Sequence, residues 1–238
     1  MTNKIAIFSD IHGNLQALES IIKNIKEKRI DKVYCLGDVI GIGPNPKECL
    51  DLIINNNIEM VLGNHELYFL KGIDVDNSVG NDEKAHHEWI RSQLNKTHEE
   101  YLKKCPLIIT DKIEKYTVCF EHFILKDNSN DTYPFADLSI INDIGDNIIK
   151  QINADITFIG HEHNSFEINM NDKRIIDVGS SGCTKDDNTF YTLLTIDNDI
   201  IKIEKIKLKY NRKEFEDTLG NISFPDKEII GKIFFGIY

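Results

Sequence analysis

Seven side chains with oxygen or nitrogen donors recur at equivalent places along this chain. They are Asp10 and His12 in IFSDIHGN, Asp38 in CLGDVIG, Asn64 in VLGNHE, His122 in CFEH, and His161 with His163 in IGHEH. Each follows directly on an apolar run. Side chains alternate faces along a strand, so residues two apart, such as Asp10 and His12 or His161 and His163, point the same way. Carboxylates, imidazoles and one amide, without thiolate, suit hard-to-borderline divalent cations. Any one of these motifs is also what a polar turn at a strand end looks like. Five such ends in order, each closing an apolar run, are not explained by turn chemistry alone.

The elements that must position these residues alternate in period. KIAIFSD reads as a buried strand, followed by Leu15, Leu18, Ile21, Ile22 and Ile25 at helical spacing behind a capping Asn14. KVYCLGD is a second strand, NPKECLDLII a helix opened by Asn45 and Pro46, and IEMVLGNHE a third strand. Strand-helix-strand order argues for parallel strands and an α/β fold, whose ligand sites lie at the carboxyl edge of the sheet. From about 67 to 106 the pattern changes to a loop and two short helices, one carrying Ala85, Trp89 and Leu94, the other starting at Thr97 with Glu100 in capping-box spacing. This segment reads as an insertion over the sheet edge, a lid or simple packing. YTVCFEH, a helix through Ile141, Ile144, Ile148 and Ile152, and ITFIGHEH follow. RIIDVGSSG, TFYTLLTI and IIKIEKIKLKY read as consecutive antiparallel strands with a hairpin turn at Asp197 to Asp199, and KIEKIKLK as an edge protected by lysines. Two short helices close the chain, the second starting at Pro225. One domain over 1–238 is the simplest organisation.

Composition narrows the function. The 39 acidic against 28 basic residues give a formal charge of −11, a field that repels long nucleic acid and anionic membrane. Small anionic substrates remain open if a metal supplies positive charge. The five cysteines are scattered and include no C-x-x-C, so neither a disulfide framework nor a thiolate zinc site is indicated. The apolar stretch Ile5 to Phe8 is too short for a signal peptide, and a reducing cytoplasm is the expected location.

DIHGN, GDVIG, GNHE, the lone His122 and GHEH, in this order and spacing between Lys4 and Gly182, resemble the signature of calcineurin-like metallophosphoesterases. The resemblance implies a four-layer α/β/β/α sandwich, two mixed sheets flanked by helices, with the helical insertion over the active site. Position by position, it implies that Asp10, His12 and His163 hold one metal, that Asn64, His122 and His161 hold the other, and that Asp38 bridges both. It implies two divalent ions, manganese ahead of iron or zinc. His65 then acts on the leaving group. Two cations about 3.5–4 Å apart acidify a bridging water to hydroxide and clamp phosphoryl oxygens for in-line attack, and an imidazolium at His65 would supply the leaving group's proton.

GIGPNPKEC and AHHEWIRSQL are similar to a bacterial branch of phosphodiesterases and asymmetric diadenosine-polyphosphate hydrolases. DVGSSGCTKDD resembles that branch's Gly-Ser turn, with Val178 at its proline position and Lys185 as the nearest cation. Substrate contacts are implied at Asn14, Gly179 and Ser180, with backbone N–H groups of Gly179 to Gly182 available to an anion. The G-D-x-x-D-R-G of serine/threonine phosphatases and symmetric dinucleoside hydrolases is absent, since Asp38 is followed by Val39, Ile40 and Gly41. The expected activity is hydrolysis of small phosphodiesters or pyrophosphates, nucleotides such as dinucleoside polyphosphates, by the bridging hydroxide. A phosphomonoesterase or protein phosphatase is the alternative, and a non-catalytic scaffold of the same fold a third. Glu66, His86, His87 and His98 read as solvated side chains, with His86 or His87 the insertion's candidates for touching substrate. Trp89 reads as core packing.

Overall fold

A computed structural model describes residues 3–30, 32–73, 81–124, 153–170, 172–198 and 200–238. The first apolar run forms β1 (Asn3–Phe8), whose alternate residues face two different cores. Ala6 and Phe8 point to the helices α1 (Leu15–Glu27) and α2 (Pro46–Asn55), while Ile5 and Ile7 point to a second sheet. β1 pairs in parallel with β2 (Lys32–Cys35), which pairs in parallel with the two-residue β3 (Glu59–Met60). The insertion comprises α3 (Asn64–Lys71), α4 (Asn81–Gln93) and α5 (Lys96–Leu102), and Ile90 and Leu102 join the helix-side core. The cap of α5 is Asn95, whose side chain accepts from Thr97 and His98 N–H, and His98 Nδ1 accepts the Asn95 N–H. That corrects the expected Thr97 and Glu100 pairing, because the helix starts one residue earlier.

The second sheet orders as β4 (Ile108–Ile113), β5 (Tyr116–Glu121), β6 (Ile156–Ile159), β8 (Lys173–Asp177), β7 (Phe166–Met170). β4 and β7 are edge strands that the sequence reading does not pick out; β7 alternates Phe166, Ile168 and Met170 with Glu167 and Asn169, a period-2 signal only five residues long. β8 lies parallel to β6 and antiparallel to β7. It is therefore not continuous with the hairpin that follows, which corrects the reading of three consecutive antiparallel strands. That hairpin, β9 (Asn188–Asp197) and β10 (Ile200–Lys209), returns to the first sheet, where β9 pairs antiparallel with β1 and β10 forms the lysine-rich edge. Asn198, with φ 54°, makes the turn.

Between the sheets, Tyr34 stacks on Phe120 at 3.8 Å, and Val61, Phe158, Val178 and Leu194 fill the same core. Each buried large side chain there contributes about 1.5–3 kcal/mol. The chain ends in α6 (Arg212–Asn221) and α7 (Lys227–Phe235). Phe235 is fully buried against Phe215, centroids 4.7 Å apart, so the terminal aromatic run seals a third cluster. The result is two mixed five-stranded sheets flanked by helices, as the resemblance implied. The helix expected through Ile141 to Ile152, which would cover the second sheet, lies outside the described residues. Among those described, no helix is long and apolar enough to cross a membrane.

Candidate metal centre

All five predicted strand ends meet at one edge shared by the two sheets. Backbone hydrogen bonds continue past the strands and hold the loops together. Asp10, His12 and Gly13 N–H donate to the Gly37, Asp38 and Val39 carbonyls within the first sheet. Across the sheets, Ser181 and Gly182 N–H donate to the Ser9 and Asp10 carbonyls, and within the second, Gly160 N–H donates to His122. The chain then has to bend sharply to aim side chains inward. Asp10, His12, Asp38, His161 and His163 all adopt left-handed φ values, 54°, 47°, 51°, 78° and 59°. Such angles cost non-glycine residues energy and cluster at functional sites.

The side chains fall into two groups. Asp10 Oδ1 lies 3.5 Å from His12 Nε2 and 3.4 Å from His163 Nε2, and the two imidazole nitrogens are 2.9 Å apart. Asn64 Oδ1 lies 3.2 Å from His122 Nε2 and 3.0 Å from His161 Nδ1. Asp38 stands between the groups, its Oδ2 3.2 Å from His122 Nε2 and 3.9 Å from both His12 and His65 Nε2. His122 Nδ1 donates to the Leu36 carbonyl at 2.6 Å, which fixes the ring with Nε2 aimed into the site. Asp10 Oδ1 is completely buried yet makes no hydrogen bond of normal length. A buried carboxylate oxygen faced only by imidazole nitrogens at 3.4–3.5 Å is a chelating arrangement. Among the described residues three clusters of metal-ligating type lie here: His12–Asp38–His65 and Asp38–His122–His161, which share Asp38, and His12–His163–Cys183, which brings a thiol beside the first group. The residues fit a pair of ions.

Electrostatics follow the same geometry. Burial opposes ionisation of Asp10 and Asp38, but the surrounding imidazoles, His122 foremost, hold both carboxyls well below their ordinary range. Burial likewise opposes charging of His122, yet Asp38 and Asp10 push it up to about 10. His65 goes the other way. Burial, with His87 and His12 adding repulsion against the pull of Asp38, drives it well below its usual value. The group expected as an imidazolium donor is therefore a neutral imidazole at neutral pH, able to donate through an N–H.

Glu66 is the residue whose role the sequence reading missed. Its type reads as solvated in the sequence, but it is fully buried and accepts four backbone N–H bonds: from Asp38 at 2.8 Å, Val39 at 2.8 Å, Ile40 at 3.3 Å and Gly63 at 2.9 Å. It locks the Asp38 loop to the start of α3, while Asp38 Oδ1 caps that helix by accepting the His65 N–H at 2.9 Å. Its place three residues after the Gly63 cap was the available signal. Gly63 is required here because any Cβ would land on the Asp38 carboxylate.

His86, His87 and His98 are buried too, which corrects their reading as solvated. His98 Nε2 pairs with Asp51 at 3.0 Å, and His87 stacks on His65, centroids 4.9 Å apart at 22°. Trp89, half-buried, stacks on Phe224 at 4.8 Å.

The three expected substrate contacts are engaged elsewhere. Asn14 Oδ1 caps α1 at Ala17 N–H and its Nδ2 donates to the Gly182 carbonyl. Ser180 Oγ donates to the Asp10 carbonyl and accepts from Cys183 N–H, while Gly179 N–H donates to Asp177 Oδ1 at 2.7 Å. The Ser180, Ser181 and Gly182 N–H groups are also bonded to carbonyls, so the turn ties the two sheets together.

Comparison with known proteins agrees with this geometry. Residues 4–199 match the calcineurin-like phosphoesterase superfamily domain. The chain is 31% identical over 235 residues to the uncharacterized protein MJ0912 of Methanocaldococcus jannaschii, covering 91% of this chain and 92% of that one. A symmetrical bis(5'-nucleosyl)-tetraphosphatase of Baumannia cicadellinicola is 36% identical over 64 residues, only 26% of this chain and 22% of that enzyme. A metallophosphoesterase structure from Sphaerobacter thermophilus superposes with a TM-score of 0.72 at 21% identity, covering 98% of this chain and 99% of that one, and shares the fold. On the match across most of its length, the chain belongs to the calcineurin-like phosphoesterase superfamily.

Proposed function

We propose that this protein is a dinuclear metal-dependent phosphoesterase that hydrolyses small phosphodiester or pyrophosphate substrates, nucleotides among them. The observation that carries the reading is the approach of Asp10, His12 and His163 in one group and Asn64, His122 and His161 in another, with Asp38 beside both. Asp10, His12 and His163 would hold one divalent ion, and Asn64, His122 and His161 the other. Bound ions, manganese first among manganese, iron and zinc, supply the positive charge that polarises phosphoryl oxygens and acidifies a water.

The protein's own residues do the rest. Glu66 and the helix start at α3 fix Asp38 and Asn64 relative to each other. His65, with Nε2 3.9 Å from Asp38 Oδ2, is positioned to offer an N–H hydrogen bond to the departing oxygen. α4 contributes to the site's wall, since its His87 stacks on His65. The acidic exterior disfavours long nucleic acid as substrate.

The test is a rate comparison with Mn²⁺ supplied, using bis(p-nitrophenyl) phosphate, diadenosine tetraphosphate and p-nitrophenyl phosphate. Faster turnover of a diester or the tetraphosphate than of the monoester is the expected result. Preference for the monoester would place the protein among phosphomonoesterases. Inertness with about two Mn²⁺ ions demonstrably bound would leave a scaffold.

A further inference from the structure

Next to the metal centre, between α4 and α7, lies a cavity of about 400 Å³ that the chemistry above does not use. His65 is part of its lining, so it adjoins the group placed beside the leaving group. Ile230 and Phe234 of α7 form an apolar wall, extended by the exposed Ile229. Opposite them stands His87, whose ring stacks on His65 at 22° and makes a flat face. His87 Nε2 is buried without a hydrogen-bond partner, its residue 7% exposed. A buried polar atom left unpaired costs about 1–3 kcal/mol, so a ring carrying its own donors and acceptors fits this face better than a hydrocarbon. The mouth is acidic, with Glu83 and Asp226, and no lysine or arginine lines the cavity among the described residues. Such a mouth repels a phosphate tail.

We propose that this cavity receives the base of an uncharged nucleoside leaving group, so that the preferred substrates are nucleoside phosphodiesters rather than dinucleoside polyphosphates. The proposal rests on the phosphoesterase reading for its chemistry. In the step it serves, a water oxygen bonds to phosphorus and the P–O bond to the nucleoside breaks. The electron pair stays on the nucleoside oxygen, toward which the neutral His65 ring offers an N–H hydrogen bond, and the proton released by the attacking water ends on that oxygen. The cavity volume is of the size that holds a small organic ligand.

Trp89, the sole tryptophan, stacks on His86 at the cavity's edge, centroids 5.7 Å apart, and reports occupancy without catalysis. Adenosine titrated into the full chain supplied with Mn²⁺ should change its fluorescence saturably, with a dissociation constant on the order of 1 mM or tighter. Ile229→Asp should weaken that binding about tenfold, and the site tolerates it because Ile229 is 57% exposed. Ile233→Asp, on the same helix, equally exposed and outside the cavity, should leave binding unchanged. Absence of a saturable response, or one indifferent to Ile229→Asp, overturns the assignment, even if the protein hydrolyses bis(p-nitrophenyl) phosphate. Adenosine binding with the expected variant pattern but no hydrolysis of any ester sinks the phosphoesterase reading and leaves the cavity assignment standing.

Discussion

Replacing Glu66 by alanine tests whether one buried carboxylate organises the site. Its two oxygens accept from four N–H groups at 2.8, 2.8, 3.3 and 2.9 Å, and the side chain is fully buried. Alanine removes every acceptor at once and leaves four loop donors to find water in the space vacated. At about 1 kcal/mol for each stranded donor, the loss sums to about 4 kcal/mol, among the larger effects of a single substitution. Glutamine retains one oxygen but turns an NH₂ toward donors, so it should recover no more than about half of that. One of the four donors belongs to the ligand Asp38 and another to Gly63, which directly precedes the ligand Asn64, so Mn²⁺ affinity should fall about 10–100-fold. Urea denaturation read at unchanged m, and competition with a fluorescent chelator, measure the two effects. If Glu66→Ala unfolds within about 1 kcal/mol of the parent protein and binds Mn²⁺ as tightly, Glu66 is not the clamp described.

Four further expectations follow from the same geometry. Asp38→Asn and His122→Ala should each lower bound Mn²⁺ from about two ions per chain and, like chelation by EDTA, abolish diester turnover; retained stoichiometry by elemental analysis would refute the bridging arrangement. Gly63→Ala drives a methyl onto the Asp38 carboxylate and should disable the site far more than it destabilises the fold, as read by metal binding against thermal unfolding. Asp177 is buried and pushed up to about 8 from its ordinary 3.8, by desolvation first, with the Gly179 N–H opposing. Its folded form therefore holds a proton the unfolded chain releases, so metal-free stability should fall as pH rises from about 4 to about 8; Asp177→Asn should flatten that slope in urea titrations. Phe235→Ala empties a fully buried ring site against Phe215 and should cost about 3–5 kcal/mol; a smaller loss would mean the C-terminal helix is dispensable.

Local order wrote much of this protein. The apolar runs, the cap at Asn14, the lysine edge and the donors at each strand end are consequences of alternation and of residue type, which act within a few positions. Parallel strands then forced Asp10, Asp38 and Asn64 to one sheet edge, and that was legible before any coordinates. The edge strand Phe166–Met170 shows only a weak signal, since Phe166, Ile168 and Met170 alternate with Glu167 and Asn169 over just five residues. The burial of Glu66, His86 and His87 was not legible. A charged or polar side chain in sequence reads as solvated, and only the packing of α3 and α4 against the Asp38 loop takes it out of water. The Gly179 to Gly182 turn shows the reverse case. Its N–H groups looked free for an anion, but the contact between the two sheets claims them, since backbone donors at a buried seam must find carbonyls wherever the fold brings them. Donor type and order were therefore determined along the chain. Which donors face an ion, which hold the loops and what space lies beside His65 were decided by how the two sheets and the terminal helix come together.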